Sequence, residues 1–328
     1  MQARRLVAII VLLGIAAALP VAGLCKGFKT VNGVPCFEAK PGKFYKLYRG
    51  VAPTPAAAKA HASVKLSGKS KGPAAVDLGS LMPPVGDCGN QNSTAAWATT
   101  YYYKSFQEAK EHAWGVNTTA HQYSPAWTYN QTNAGADTGS TLPDSLQLLV
   151  DKGATTLADQ PYTDTDYSSW PTLTQYKNAM PARAQSFTRI FRGYGNAAAQ
   201  LQAMKDILAS GDVFVLSIAM FADFAVTSPN YLYDHPSALT YVGQLPLVIV
   251  GYDDTVGGVG GFKFRNCWGT DWGNAGSGYL SYDFISSYGY EAYTMADRTG
   301  YQPQVWSRLT IQHPRRRDLT ITIGHGDT

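Results

Sequence analysis

The chain has 328 residues, of which 45% are apolar and 15% charged, and carries a formal net charge of +4. That is enough apolar material for a sizeable core in one or two domains. The charge is dispersed apart from one Arg run at 315–317, so no nucleic-acid footprint is implied. With 21 Tyr and few charges, the composition suits an extracellular or surface protein better than a cytosolic enzyme.

In chain order, residues 1–23 read as an export signal. Arg4 and Arg5 are basic, Leu6 to Leu19 are apolar, and Pro20 followed by VAG offers small residues for cleavage. The apolar run continues to Leu24, so an uncleaved membrane anchor is the alternative. Residues 24–74 form an N-terminal segment. Cys25 and Cys36 bracket a hairpin signal at Asn32-Gly33, and residues 52–74 are a linker rich in Pro, Ala, Gly, Ser and Lys. Four Cys in an exported chain suggest two disulfides with three possible connectivities. The short loop favours a Cys25–Cys36 clasp.

The next stretch carries helical signals. Ser93 or Thr94 can cap a helix running to about Glu111. Leu142–Lys152 and Ala197–Ser210 are further candidates, the last ending at Gly211. Strands follow at 213–220, 245–254, 261–266 and 278–284, each rich in β-branched or aromatic residues and bounded by Gly. GGVGG at 257–261 reads as a strand–strand turn, since no helix follows it as a phosphate loop requires. Asp159, Asp164 and Asp166 read as a solvated loop, because their spacing completes no calcium motif. No cofactor and no metal site is implied. Asn92, Asn117 and Asn130 each begin an Asn-x-Ser/Thr triplet.

Residues 263–279, KFRNCWGTDWGNAGSGY, are the most informative stretch. Asn266, Trp268, Gly269, Trp272, Gly273, Gly276, Gly278 and Tyr279 fall in step with N-[S]-W-G-x-x-W-G-x-x-G-x-[GA]-[YW], the asparagine segment of papain-like (C1) cysteine peptidases. Residues 84–96, PVGDCGNQNSTAA, resemble that family's nucleophile segment through Asp87, Gly89, Ser93 and Ala96. Residues 243–254, GQLPLVIVGYDD, resemble its histidine segment through Val250 to Asp254. HQYSPAWTYNQTN (121–133), the Gly139-Ser140 pair and 145–156 also resemble bacterial and archaeal members. The resemblance spans roughly 75–297 and implies an α+β papain-like fold, a helical subdomain followed by a β-rich one.

It also implies a degenerate catalytic set. Cys88 stands at the oxyanion Gln position, Thr94 at the nucleophile and Leu245 at the His; Asn266 alone is kept. A Cys–His peptidase needs a thiolate at a helix N-terminus beside a base. Losing nucleophile and base together costs about 10⁶ in rate in a comparable triad. The resemblance implies a cleft at Gly89, Ser93, Trp268 and Trp272, able to take a peptide or polymer ligand. It further implies that Cys88 and Cys267 meet there, so they are expected to be bridged; two buried unpaired thiols are the alternative. A displaced pair of Cys267 with His121 or His235 is the route back to activity.

The tail, 298–328, holds RLTIQH (308–313) and DLTITI (318–323), which alternate apolar and polar around PRRR and read as a β-hairpin. This piece resembles the opening strands of the P domain found beside subtilisin-like convertases. It offers edges for self-association through 308–323. The leading expectation is therefore a secreted or cell-surface papain-like pseudoenzyme acting as a binding module or scaffold. Two alternatives stand beside it: a structural subunit of an extracellular assembly joined through the hairpin, and a cysteine peptidase with a rearranged site.

Overall fold

The computed structural model describes residues 27–31, 33–49, 72–237, 240–303, 309, 311 and 312. The signal or anchor, Cys25 with its expected clasp to Cys36, most of the linker, and all but three residues of the expected 308–323 hairpin lie outside these residues. Among the described residues, no helix is long and apolar enough to cross a membrane.

Eleven strands are described. An N-terminal sheet is built from β1 (Phe28–Val31), β2 (Val34–Lys40) and β3 (Lys43–Lys46) in simple antiparallel order. Val31 pairs with Val34, so β1 and β2 join where the sequence places a hairpin. The main sheet takes β4 (Ala75–Asp77), β5 (Ala184–Arg192), β6 (Phe214–Phe221), β7 (Leu232–Tyr233), β8 (Tyr241–Asp253), β9 (Gly261–Arg265), β10 (Ser277–Ser281) and β11 (Gly289–Asp297). Its order is β5-β11-β6-β8-β9-β10-β7, with β4 pairing one end of β8. All pairings are antiparallel except β10 with β7. β6 is buried along its whole length, as the run FVLSIAMF requires.

Helices precede the strand-rich half, giving the expected α+β layout. The central helix runs from Thr94 through Ala96, continues in wide π-type turns over Trp97–Lys104, and ends at His112. The wide turns spread three consecutive tyrosines into different contacts. Tyr101 donates to the Pro84 carbonyl (2.9 Å), Tyr102 to the Asn266 carbonyl (2.9 Å), and Tyr103 to Asp212 (3.1 Å). All three are buried. A regular helix turns ~100° per residue and seats three adjacent side chains in a core less readily.

The helix Leu142–Lys152 falls where the sequence placed it. Thr141 accepts from Asp144 N at its start, and Gly153 (φ +77) ends it. The third candidate is regular over Leu201–Ala209 and also stops at a left-handed Gly, Gly211. One strand is shorter than expected. The run read as 278–284 ends at Ser281, whose hydroxyl accepts from Phe284 N (2.9 Å) and starts a helix over Tyr282–Tyr288. A serine cap there outweighs the β preference of YDF. β8 begins four residues before the expected strand, at Tyr241.

Candidate active site

The site lies where the N-terminus of the central helix packs against β8. Thr94 opens the helix and is buried. Ser93 precedes it as N-cap, but its hydroxyl is engaged by the Tyr162 hydroxyl (2.8 Å) and makes no cap bond. Leu245 sits on β8 opposite Ile218 of β6, fully buried. Asn266 ends β9. Its side-chain oxygen accepts from Cys267 N (2.8 Å), and its amide nitrogen has no hydrogen-bond partner. An imidazole would be oriented by such an amide; a leucine offers it nothing.

Cys88 and Cys267 come together as the resemblance implied. Cys88 N donates to the Cys267 carbonyl (2.8 Å), and the neighbouring residues Asp87 and Trp268 form an antiparallel bridge. Burial pushes the Cys88 thiol well up, and the neighbouring Cys267 adds to the rise. The expected disulfide is not formed in this structure: both are free, buried thiols, as is Cys36. The candidate bases are engaged elsewhere. His121 stacks on Trp114 and bonds the Gly115 carbonyl. His235 stands at the surface beside Asp234.

Three of the four expected cleft residues are inside the protein. Trp268 and Ser93 are fully buried, and Trp272 is nearly so. Gly89 is half-buried, in a left-handed conformation with the Asp164 carboxylate directly over it. The N-terminal sheet covers Trp268. The rings of Phe37 and Tyr45 both lie stacked on Trp268, with centroids 5.5 and 5.3 Å away. The Tyr45 hydroxyl donates to the Trp268 carbonyl (2.9 Å). Three lysines around this sheet, Lys40, Lys43 and Lys46, pair with Asp271, Asp87 and Asp137 on the main body.

The chain leaving β3 then passes between the two halves of the main body. Gln244 N donates to the Tyr48 carbonyl (2.8 Å) as a short antiparallel bridge, and the Asn92 amide donates to the Leu47 carbonyl (3.0 Å). Gly139 (φ +102) allows the approach: a Cβ there would lie 2.6 Å from Cδ2 of Tyr48. Gly139→Ala should therefore destabilise the protein by about 1–3 kcal/mol through overpacking and backbone strain, and thermal melting measures it. An unchanged melting temperature would mean that Tyr48 moves aside freely.

Among the described residues, two hollows stay open beside this seal: one of about 500 Å³ lined by Lys43, Asp87, Gly89, Tyr162 and Asp164 among others, and one of about 650 Å³ lined by Phe37, Lys40, Phe224, Asp271 and Trp272 among others. The acidic loop is built into the structure. Asp164 accepts from Asn90 N, Asp166 from Ser168 N and Ser169 N, and Asp159 from Thr155. The one cluster with metal-ligating side chains in reach of one another, among the described residues, is Glu108, Glu111 and His112. Its members already hold Lys104, Gly300 N and each other. Asn92 and Asn130 are buried, with their amides donating to Leu47 and Ser169, so of the three sequons only Asn117 faces solvent.

The sequence reading missed Phe37, Tyr45, Tyr48 and the three lysines as parts of this site. The available signal was the aromatic run KFYKLY (43–48), with cations at 40, 43 and 46.

Comparison with known proteins agrees with this architecture. Residues 80–296 match the profile of the papain family cysteine proteases. A cathepsin B-like CP1 of Giardia intestinalis is 28% identical over 145 residues, 44% of this chain and 46% of that protein, so the chain spans less than half of that relative. Xylellain, a cysteine protease from Xylella fastidiosa, superposes with a TM-score of 0.61 at 21% identity, covering 76% of this chain and 95% of that one. Procathepsin B S9 from Trypanosoma congolense gives 0.60 at 16%, covering 77% and 87%. The profile match spans most of the main body, and the solved structures repeat its helix-then-sheet arrangement; the chain belongs to the papain family of cysteine proteases.

Proposed function

We propose that the chain is an exported or surface-displayed papain-fold protein without peptidase activity, serving as a scaffold whose cleft is filled by its own N-terminal sheet. The observation that carries this reading is the pair of Leu245, fully buried where the imidazole would stand, and Tyr48, whose backbone crosses beside Gln244 above it. Thr94 has no base to take its proton, and an internal threonine lacks the amine that activates N-terminal ones. Cys88 brings no amide donor for an oxyanion. Each seal residue, Phe37, Tyr45 and Leu47, is buried and contributes about 1.5–3 kcal/mol of transfer free energy. A loosely held substrate does not displace such a set. Export rests on the basic and apolar leader at residues 1–23.

The test is cleavage of a peptide library and labelling by a thiol-directed peptide electrophile, with and without mild reductant. The wild-type chain should do neither above background, and Thr94→Cys alone should gain no turnover because the base is still missing. Cleavage by the wild-type chain that a thiol reagent abolishes would overturn the reading.

A further inference from the structure

The proposed scaffold makes no use of the two thiols at its centre. Asp87 and Trp268 form an isolated antiparallel bridge, so Cys88 and Cys267 are facing neighbours, tied by the 2.8 Å bond from Cys88 N to the Cys267 carbonyl. Facing residues of an antiparallel pair stand about 4.5–5.5 Å apart at Cα. A disulfide needs about 4.4–6.8 Å. Both cysteines are buried. The Tyr45 hydroxyl donates to the Trp268 carbonyl, one residue from Cys267. The Tyr162 hydroxyl donates to the Cys88 carbonyl (2.8 Å).

We propose that Cys88 and Cys267 are an oxidisable dithiol, closed to a disulfide by exchange with a small disulfide oxidant before the N-terminal sheet docks, and sealed by that sheet afterwards. One cysteine thiolate attacks the oxidant RSSR and releases RS⁻, leaving a mixed protein–SR disulfide. The second thiolate attacks the protein sulfur and releases the other RS⁻. The two protons lost by the cysteines end on the released thiols, and the oxidant takes up the two electrons. The order follows from access. Exchange needs an exposed thiolate, and with the sheet docked both cysteines are buried, the Tyr45 and Tyr162 hydroxyls bonding the backbone beside them. The inference stands whether or not the chain cleaves peptides.

The experiment refolds the full chain in a glutathione redox buffer, blocks free thiols with iodoacetamide and maps unreduced peptides. The expected product links the Cys88 and Cys267 peptides. Alkylation of both, or linkage of either to Cys25 or Cys36, overturns the dithiol. Sealing is read from the rate at which dithiothreitol opens the bridge in the native protein. Tyr45→Ala should open it about tenfold faster or more, because local opening no longer has to lift that ring. Tyr45→Phe keeps the ring, and should fall between the two. Circular dichroism verifies that each variant is folded. Equal rates in all three overturn the seal. As a second readout, oxidised and reduced wild type should melt at different temperatures, whereas the Cys88→Ser, Cys267→Ser double variant melts at one; a wild type indifferent to redox state counts against the bridge.

Discussion

Trp268→Ala is expected to lower the stability of the folded chain by about 3–5 kcal/mol, the range for removing a fully buried large aromatic side chain. Trp268 is the hub on which the two parts of the molecule meet. Phe37 and Tyr45 stack on it from the N-terminal sheet, while Trp272 (5.0 Å) and Phe224 (6.4 Å) meet it edge-on from the main body. The variant loses the transfer free energy of the indole and leaves a cavity at the junction. Urea denaturation gives the magnitude, and hydrogen exchange gives its location: protection should fall first in β2 and β3, which lose their platform. Trp268→Phe should cost less, because the indole N–H has no hydrogen-bond partner to lose. A loss below 1 kcal/mol for the alanine variant would show that the sheet is held by its lysine pairs instead.

Lys104→Ala should cost a comparable amount, about 3–5 kcal/mol, because it strips the counter-charge from buried carboxylates. Lys104 is fully buried in the central helix and pairs with Glu108 (2.6 Å) and Asp297. The loss should depend on pH in a defined direction. Burial raises the Glu108 pKa above its ordinary value, against the lowering pull of Lys104. A carboxyl raised in the folded state contributes stability below its unfolded pKa of about 4.3 and loses it as pH rises through the folded value. Removing Lys104 strengthens the upward shift. The variant should therefore be most destabilised near neutrality and recover toward pH ~4, where Glu108 takes up a proton. Chemical denaturation at several pH values checks this; a penalty independent of pH would place the cost in lost packing.

The strand-rich half was legible because its signals are local. Gly-bounded β-branched runs fix β6, β8 and β9, and the asparagine segment fixes β10 with the turn before it. The central helix was legible from its start at Thr94. Its π-type turns were not, since they answer to tertiary partners of Tyr101, Tyr102 and Tyr103 at Pro84, Asn266 and Asp212. β5 and β11, which pair across about a hundred residues, carry no turn signal that joins them. The N-terminal hairpin could be read from Asn32-Gly33, whereas its destination could not. Nothing in residues 28–46 alone says that Phe37 and Tyr45 will meet a tryptophan at 268. The site positions were legible from the family pattern, but the covering of Trp268 by Phe37 and Tyr45 depends on that long-range docking.

The seal at Leu47 and Tyr48 belongs to the same chain as the groove it fills. A tethered occupant competes at an effective concentration in the millimolar range for a short flexible connection, and its own contacts multiply that advantage. If docking of the N-terminal sheet is favourable by about 4 kcal/mol, the groove is vacant roughly one time in a thousand, and a free peptide sees its dissociation constant raised by the same factor. A micromolar ligand would then behave as a millimolar one. For solutes outside, the groove is a surface that exists mainly on the inside of the molecule.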